Sequence, residues 1–531
     1  VKGLMTMAVD TLTLAALTII YLIAVIGLGY MGYRHTKEHE DFLVAGRRIH
    51  PLVLALSYGA TFISTSAIIG FGGISAQLGM GLVWLTVLCI GVGVFIAFVI
   101  YGRKTREIGH RTGAVTFPDL MGRIYHSQFM RYACALVIIV GMPLYTAAIL
   151  IGGARFIEST LAVPYDLALI GFAVIVAAYV ILGGLIAVMY TDALQGAIMF
   201  VGMTLLLVLT YIYLGGVVEA HTALEALAPM VPDGLAAAGH NGWTAMPDFL
   251  SPLWLVMVTT LVLGVGIGVL AQPQLAVRFM TVRDNRALNR AVLVGGIFVL
   301  MMTGVAFTVG PLTNVWFVQT TGLTAVDAAG GNVDSVIPLY INAAMPDAFI
   351  IIFMLALLAA AMSTLSSLYH TMGSAIGYDM VGTYLNATPS MRTIQAGTVA
   401  MILVSTAIAY LLPGSIIARA TAMFMGLCAA AFLPAFTHGL YSRRPSAFAA
   451  KVSLIAGAGA WFLWTAFVHL KESAPLGISK LLFGTDALLG MPWQVVDPLV
   501  IALPFSAVAL GAAVLYEHTT TDIHSTEEIG D

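Results

Sequence analysis

Ala359-Ala360-Ala361-Met362-Ser363-Thr364-Leu365-Ser366-Ser367 sets hydroxyl side chains inside an apolar run with the length of a membrane-spanning helix. Residues three and four apart share a helix face, so Ala360, Ser363 and Thr364 point one way. A second run of this kind, Ser57-Tyr58-Gly59-Ala60-Thr61-Phe62-Ile63-Ser64-Thr65-Ser66, lies near the N-terminus. Two hydroxyl- and glycine-interrupted spans can supply oxygens to a small cation without any charged ligand. Hydroxyls also glue membrane helices together, and either run alone fits that reading.

The composition agrees with a membrane setting. Of the 531 residues 60% are hydrophobic and only 9% are charged, with a mean hydropathy of +0.96. A soluble domain averages about 25% charged residues, so so few charges exclude a soluble fold of this size. Cys89, Cys134 and Cys428 all fall within apolar segments and read as small buried residues, not as a disulfide or metal framework. The first apolar segment, 11–33, is too long for a signal-peptide core and reads as a retained helix.

Thirteen spans are expected, near 11–33, 51–77, 82–102, 130–158, 164–188, 192–216, 250–275, 290–316, 347–377, 393–412, 415–437, 449–469 and 497–516. Basic residues orient them. One set of loops holds Arg34, Lys37, Arg47 and Arg48, then Arg103, Lys104, Arg106, Arg111, Arg123 and Arg131. The same side holds Arg278, Arg283, Arg286 and Arg290, then Arg392, Arg443, Arg444 and Lys451. These are 18 of the 23 basic residues. The opposite side holds Lys2, Lys471 and Lys480. This asymmetry puts the N-terminus outside and the acidic tail, 517–531, in the cytoplasm as a disordered end. Longer loops at 217–249, 317–346 and 470–496 then face outward, and short helices capping a vestibule are one option for them.

Two spans look interrupted. Gly59 and the Thr61–Ser66 hydroxyls lower helix propensity, so a break is expected near Gly59 to Ile63. The seventh span carries Gly264, Gly266 and Gly268, then Gln272-Pro273-Gln274, and Pro273 frees a carbonyl one turn earlier. Broken helices at matching places in two halves point to a transporter site. Close helix packing is the other reading of those glycines.

Four elements in order resemble the sodium:solute symporter family, the carriers of sugars, proline, pantothenate, iodide and monocarboxylates. They are Asp41-Phe42-Leu43-Val44-Ala45-Gly46-Arg47-Arg48, Gly183–Gln195 around Tyr190-Thr191-Asp192, Gln272–Met280, and the Ala360–Thr364 segment. The resemblance implies an all-α polytopic membrane protein of the leucine-transporter fold. Its expected plan is a leading helix and loop (1–48), a five-helix repeat (49–216), a loop (217–249), an inverted repeat (250–437), two trailing helices (438–516) and a tail (517–531).

It also implies sodium as the coupling ion, bound by oxygens of Ala60, Ile63, Ala360, Ser363 and Thr364, with no organic cofactor. Neutral oxygens suit a hard monovalent ion. Asp192 reads either as a helix-start cap or, by resemblance, as part of the inner ion pathway. Arg103, Arg106 and Arg278 read as positive-inside residues. His370 reads as a buried, hydrogen-bonded neutral histidine, with proton coupling as the other reading.

For the solute, positions used by the sugar branch look like Phe62, Ser66 and Ala67 here, and the proline branch has an aspartate where this chain has Phe62. Ala60–Ser64 looks more like the monocarboxylate, vitamin and iodide branch. A small organic anion is therefore expected: acetate, propionate, pyruvate, lactate or pantothenate. With no intramembrane lysine, Thr61, Thr65 and Gln272 would hold it, between Phe62 and Tyr145 as apolar walls. A proline or other amino-acid symporter, a sensor module and a channel are the alternatives. The chain ends about 15 residues past its last span, so no signalling domain is expected. No metal-protease motif or serine–histidine set appears, so an enzyme is not expected. The expected partners are a small-molecule solute and the lipid bilayer of the inner (plasma) membrane, not nucleic acid, with a monomer as the working unit.

Overall fold

A computed structural model describes residues 11–161, 163–382, 391–412 and 417–527. Lys2, the rest of residues 1–10 and the last four residues of the expected tail lie outside the described residues. Among the described residues the fold is all helical. The leading helix α1 is Thr11–His35, followed by a short α2, His39–Val44. The first broken span is α3, Pro51–Phe62, and α4, Ser66–Leu78, bent by 52°. Then come α5 (Met80–Thr112), α6 (Gln128–Leu161) and α7 (Tyr165–Tyr213). The second half holds α8 (Pro252–Ala271), α9 (Pro273–Phe279), α10 (Asn285–Thr321), α11 (Asp347–Val381), α12 (Met391–Leu411) and α13 (Ile417–Tyr441). The chain ends with α14 (Ala447–Phe467), the short α15 (Leu470–Leu476) and α16 (Ile478–Phe483), and α17 (Pro498–Glu527).

Among the described residues eleven helices are long and apolar enough to cross a membrane, or twelve with the bent pair as one span. Tyr165–Ile181 is a shorter apolar helix at one of the thirteen expected positions. No gap opens between the fifth and sixth expected spans at 189–191. The helix instead kinks earlier, at Gly184, with φ 58° and ψ −160°. Only glycine takes that conformation without strain, and Phe42 of α2 packs against the kink. The tail departs from expectation too, since α17 runs on as helix to Glu527.

Burial separates core from rim. Every residue from Ala356 to Ala375 of α11 is buried. A helix buried all round belongs at the centre of a bundle. It packs on α7, which also carries α1 and α3. The helices α14 and α17 pack mainly on each other and on α13, and show exposed Ile455, Phe462, Leu463, Phe505 and Val508 toward lipid.

Local chemistry sets the breaks. His50 caps α3 by accepting from the Leu52 N–H, and Pro51 opens the helix. The helix then survives Gly59 and runs to Phe62, and only Ile63 turns extended (φ −94°, ψ 100°). The break therefore lies at residues 63–65 and begins at the last residue of the expected stretch. Gly59 serves packing instead, because a Cβ there would meet the Phe298 ring at 2.4 Å. In the seventh span a 3-10 turn, Val269–Ala271, leads to extended Gln272, and Pro273 starts α9. The glycines before it also serve packing: a Cβ on Gly268 would lie 2.7 Å from Met425 of α13.

Two of the three long loops lie over α4. Trp243 donates its indole N–H to Ala76 O (2.8 Å) and accepts from the Met80 N–H. Val333 O lies against Gly73. The third loop, 470–496, sits elsewhere, on α14.

Candidate functional site

The α3 break meets the middle of α11. The Ser363 hydroxyl donates to Ala60 O at 2.8 Å, with its own Ala360 O at 3.1 Å. The Thr364 hydroxyl lies 3.1 Å from Thr61 O and 3.4 Å from Ala60 O. All of these residues are buried. The two hydroxyl oxygens and the carbonyl oxygens of Ala60, Thr61 and Ala360 thus form one cluster of uncharged oxygens. Ile63, the fifth residue expected at this place, is the extended residue that ends α3, with its N–H on Gly59 O. Thr61 O is the second α3 carbonyl that the α11 hydroxyls engage.

Asp192 is no helix cap. It lies inside α7, two turns past the Gly184 kink, and is fully buried. Its Oδ2 accepts from Ser57 Oγ (2.8 Å), Thr61 Oγ1 (3.2 Å) and Arg278 Nη2 (2.8 Å), and its Oδ1 faces Ser366 Oγ at 3.4 Å.

Arg278 overturns its reading as a loop residue on the basic side. It is 1% exposed, within α9. Its Nε donates to Ser57 Oγ (3.0 Å), its Nη1 to Gln274 O (2.6 Å), and its Nη2 also faces the Thr61 and Ser367 hydroxyls. Pro273 explains the misreading: by starting a new helix at the break it keeps residues 273–279 in the interior. Arg103 and Arg106 do lie at the edge, bonded to Asn289 and Asn285. His370 is buried, and its Nε2 donates to Phe42 O at 2.9 Å, which leaves Nδ1 as the acceptor nitrogen.

Of the five residues expected to hold a solute, Phe62 lines a cavity, and Tyr145 reaches that lining through a hydrogen bond to Ser64. That cavity, about 20 Å³, lies beside the break and is lined by Phe62, Ile63, Ser64 and Ala67 together with Cys89, Thr303, Phe307, Thr421 and Met425. Thr61 is committed to the Asp192–Arg278 network. Thr65 donates to Ile149 O (3.4 Å). Tyr145 stacks on Phe424. Gln272 donates to Gly268 O and accepts from Gln274. The lining residues Thr303 and Thr421 were not among those expected from the sequence. Each is one hydroxyl in an apolar span, and only neighbouring helices distinguish it from a packing residue.

A family model described as "Sodium:solute symporter family" matches residues 42–457. The sodium/pantothenate symporter of Haemophilus influenzae is 30% identical over 458 residues, covering 84% of this chain and 89% of that protein. The osmoregulated proline transporter OpuE of Bacillus subtilis is 27% identical, covering 84% and 87%. The substrate-bound outward-open structure of a Na+-coupled sialic acid symporter superposes with a TM-score of 0.72 at 17% identity, covering 94% of this chain and 96% of its own, and shows a shared fold. With broken helices meeting a hydroxyl-bearing central helix, and a family match spanning both, this chain belongs to the sodium:solute symporter family.

Proposed function

We propose that this symporter couples sodium entry to uptake of a small organic carboxylate, pantothenate or a monocarboxylate such as acetate, pyruvate or lactate. The observation that carries the reading is the oxygen cluster of Ala60, Thr61, Ala360, Ser363 and Thr364. It offers uncharged oxygens to one sodium ion, and Ile63 O completes the set if the break relaxes by one turn. The cavity beginning at Ser64 adjoins this cluster. Its lining has hydroxyls and aromatic rings but no cationic side chain. At about 20 Å³ the cavity must widen to admit a carboxylate, which would then find its positive charge in the bound sodium, and attraction between them is strong in a poorly solvated site. Sodium binding and anion binding then require each other, which is coupling.

Similarity to the pantothenate symporter supports the carboxylate class. Similarity to proline carriers favours a second reading, proline, whose carboxylate would use the same ion. The basic loops support a cytoplasmic position for their face of the inner membrane. The repeats then run over 49–216 and 250–437, each opening on a broken helix, and a monomer holds the whole pathway. Asp192 with Arg278 lies on the cytoplasmic side of the ion cluster.

Uptake of labelled pantothenate, acetate, pyruvate and proline into proteoliposomes, with inward sodium or potassium gradients, tests the proposal. The expected result is sodium-driven uptake of at least one of the acids. Strong proline uptake with no uptake of the acids would replace the carboxylate reading with the second one.

A further inference from the structure

The 470–496 loop is built unlike a loop that faces water. From Leu476 to Trp493 its charged side chains are Lys480 and Asp486, which pair with each other at 3.7 Å. Leu481 is 85% exposed, and Leu482, Phe483 and Trp493 are each about half exposed. Left-handed Gly477 and Gly484 break the run into short turns, so it does not form a span.

The loop's height is set by contacts with the last turn of α14. Phe483 packs edge-on against Phe467, and Trp493 against Trp464. Trp464 donates its indole N–H to Val496 O, and the Leu488 N–H donates to Phe467 O. The loop thus folds back beside residues 464–467, level with the end of a membrane helix. Just below, Leu463 and Phe462 of that helix stand exposed toward lipid. The exposed leucines of the loop extend this lipid-facing surface.

From this we infer that residues 476–493 form an interfacial hairpin seated in the lipid headgroup boundary, with the bilayer as its partner. Aromatic rings and a lysine at the ends of an apolar surface are the side chains that anchor at that depth. The segment leading into the hairpin is tied inward. Glu472 accepts from His469 and pairs with Arg419 at 3.8 Å. Arg419 lies at the end of α13, two residues from the cavity-lining Thr421. Lipid contact is therefore fastened to a helix of the solute cavity.

The test uses full-length protein with Cys89, Cys134 and Cys428 changed to Ala and one cysteine introduced, Leu481→Cys or Leu482→Cys. The cysteine is labelled with a nitroxide, and the protein is reconstituted in bilayers of equal parts phosphatidylcholine and phosphatidylglycerol. Collisions with oxygen, which concentrates in lipid, are compared with collisions with a water-soluble nickel chelate. Leu463→Cys is the lipid-facing reference. The expected result is that oxygen collisions exceed chelate collisions at 481 and 482, as at 463. Chelate collisions in excess at both sites would make this an aqueous loop and overturn the inference. So would shielding from both reagents in vesicles that disappears in nanodiscs holding one copy, since a second copy would then be the occupant.

Discussion

Thr364 uses its hydroxyl differently from its neighbours on α11. Ser367, Thr371 and Ser374 each donate back to a carbonyl one turn earlier, the ordinary habit of a hydroxyl in a helix. Thr364 reaches across to α3, and Ser363 does both. If these two hydroxyls are ion ligands, replacing both with Ala removes two bonds worth about 1 kcal/mol each. The sodium concentration for half-maximal uptake should then rise roughly 30-fold, read from sodium titrations of initial rate. An unchanged sodium requirement in the double variant would mean that they only pack helices.

The Asp192–Arg278 pair permits a second test. Removing one partner strands a buried charge at a cost of about 3–5 kcal/mol. Asp192→Asn and Arg278→Gln should each lower the melting temperature in detergent more than their combination does. Additive losses in the double-variant cycle would deny that the groups act as a pair. Ser363 and Thr364 could be read in the sequence because hydroxyls in an apolar run are conspicuous. Arg278 could not, because a basic residue a few positions before Arg283 and Arg286 looks like loop until the fold places it.

At the scale of elements, the sequence revealed that two spans break, and Pro273 marked the second break to within a residue. Glycines were less informative, because a glycine that lets helices touch and a glycine that bends the chain look alike in one sequence. Gly59 and Gly268 admit neighbouring side chains, and Gly184 makes the kink. That kink offers a controlled comparison within α7. At Gly184 a Cβ would lie 2.5 Å from the Phe42 ring and 3.0 Å from its Cα, on a left-handed backbone. At Gly171 nothing lies within 4 Å. Gly184→Ala should destabilise by roughly 1–3 kcal/mol and Gly171→Ala should not, as measured by thermal unfolding in one detergent. Equal melting temperatures would show that α7 straightens freely and that α2 does not depend on the kink.

At the scale of the whole molecule, composition and the basic-loop pattern were enough for a polytopic helical protein, while solute contacts were not legible, since a hydroxyl or amide in an apolar span reads the same whether it meets a solute or a neighbouring helix. What the assembled molecule adds is charge. Asp192 is the carboxylate beside the ion cluster, and Arg278 cancels it. If the Ala60–Thr364 oxygen cluster holds the ion as proposed, its ligands are neutral, and the simplest cycle carries one sodium. One positive charge crossing 100 mV releases about 2.3 kcal/mol, and a tenfold sodium gradient adds about 1.4 kcal/mol. A monocarboxylate travelling with one sodium carries no net charge, so the voltage contribution drops out and only the concentration gradient drives it. A net-neutral amino acid such as proline would feel both. In proteoliposomes with the membrane potential set by potassium and valinomycin, sodium-driven uptake of a monocarboxylate should keep nearly the same steady accumulation at zero and at inside-negative potential. If accumulation instead climbs steeply with voltage, more than one sodium accompanies each anion, and Asp192 must part from Arg278 during the cycle to serve the second ion.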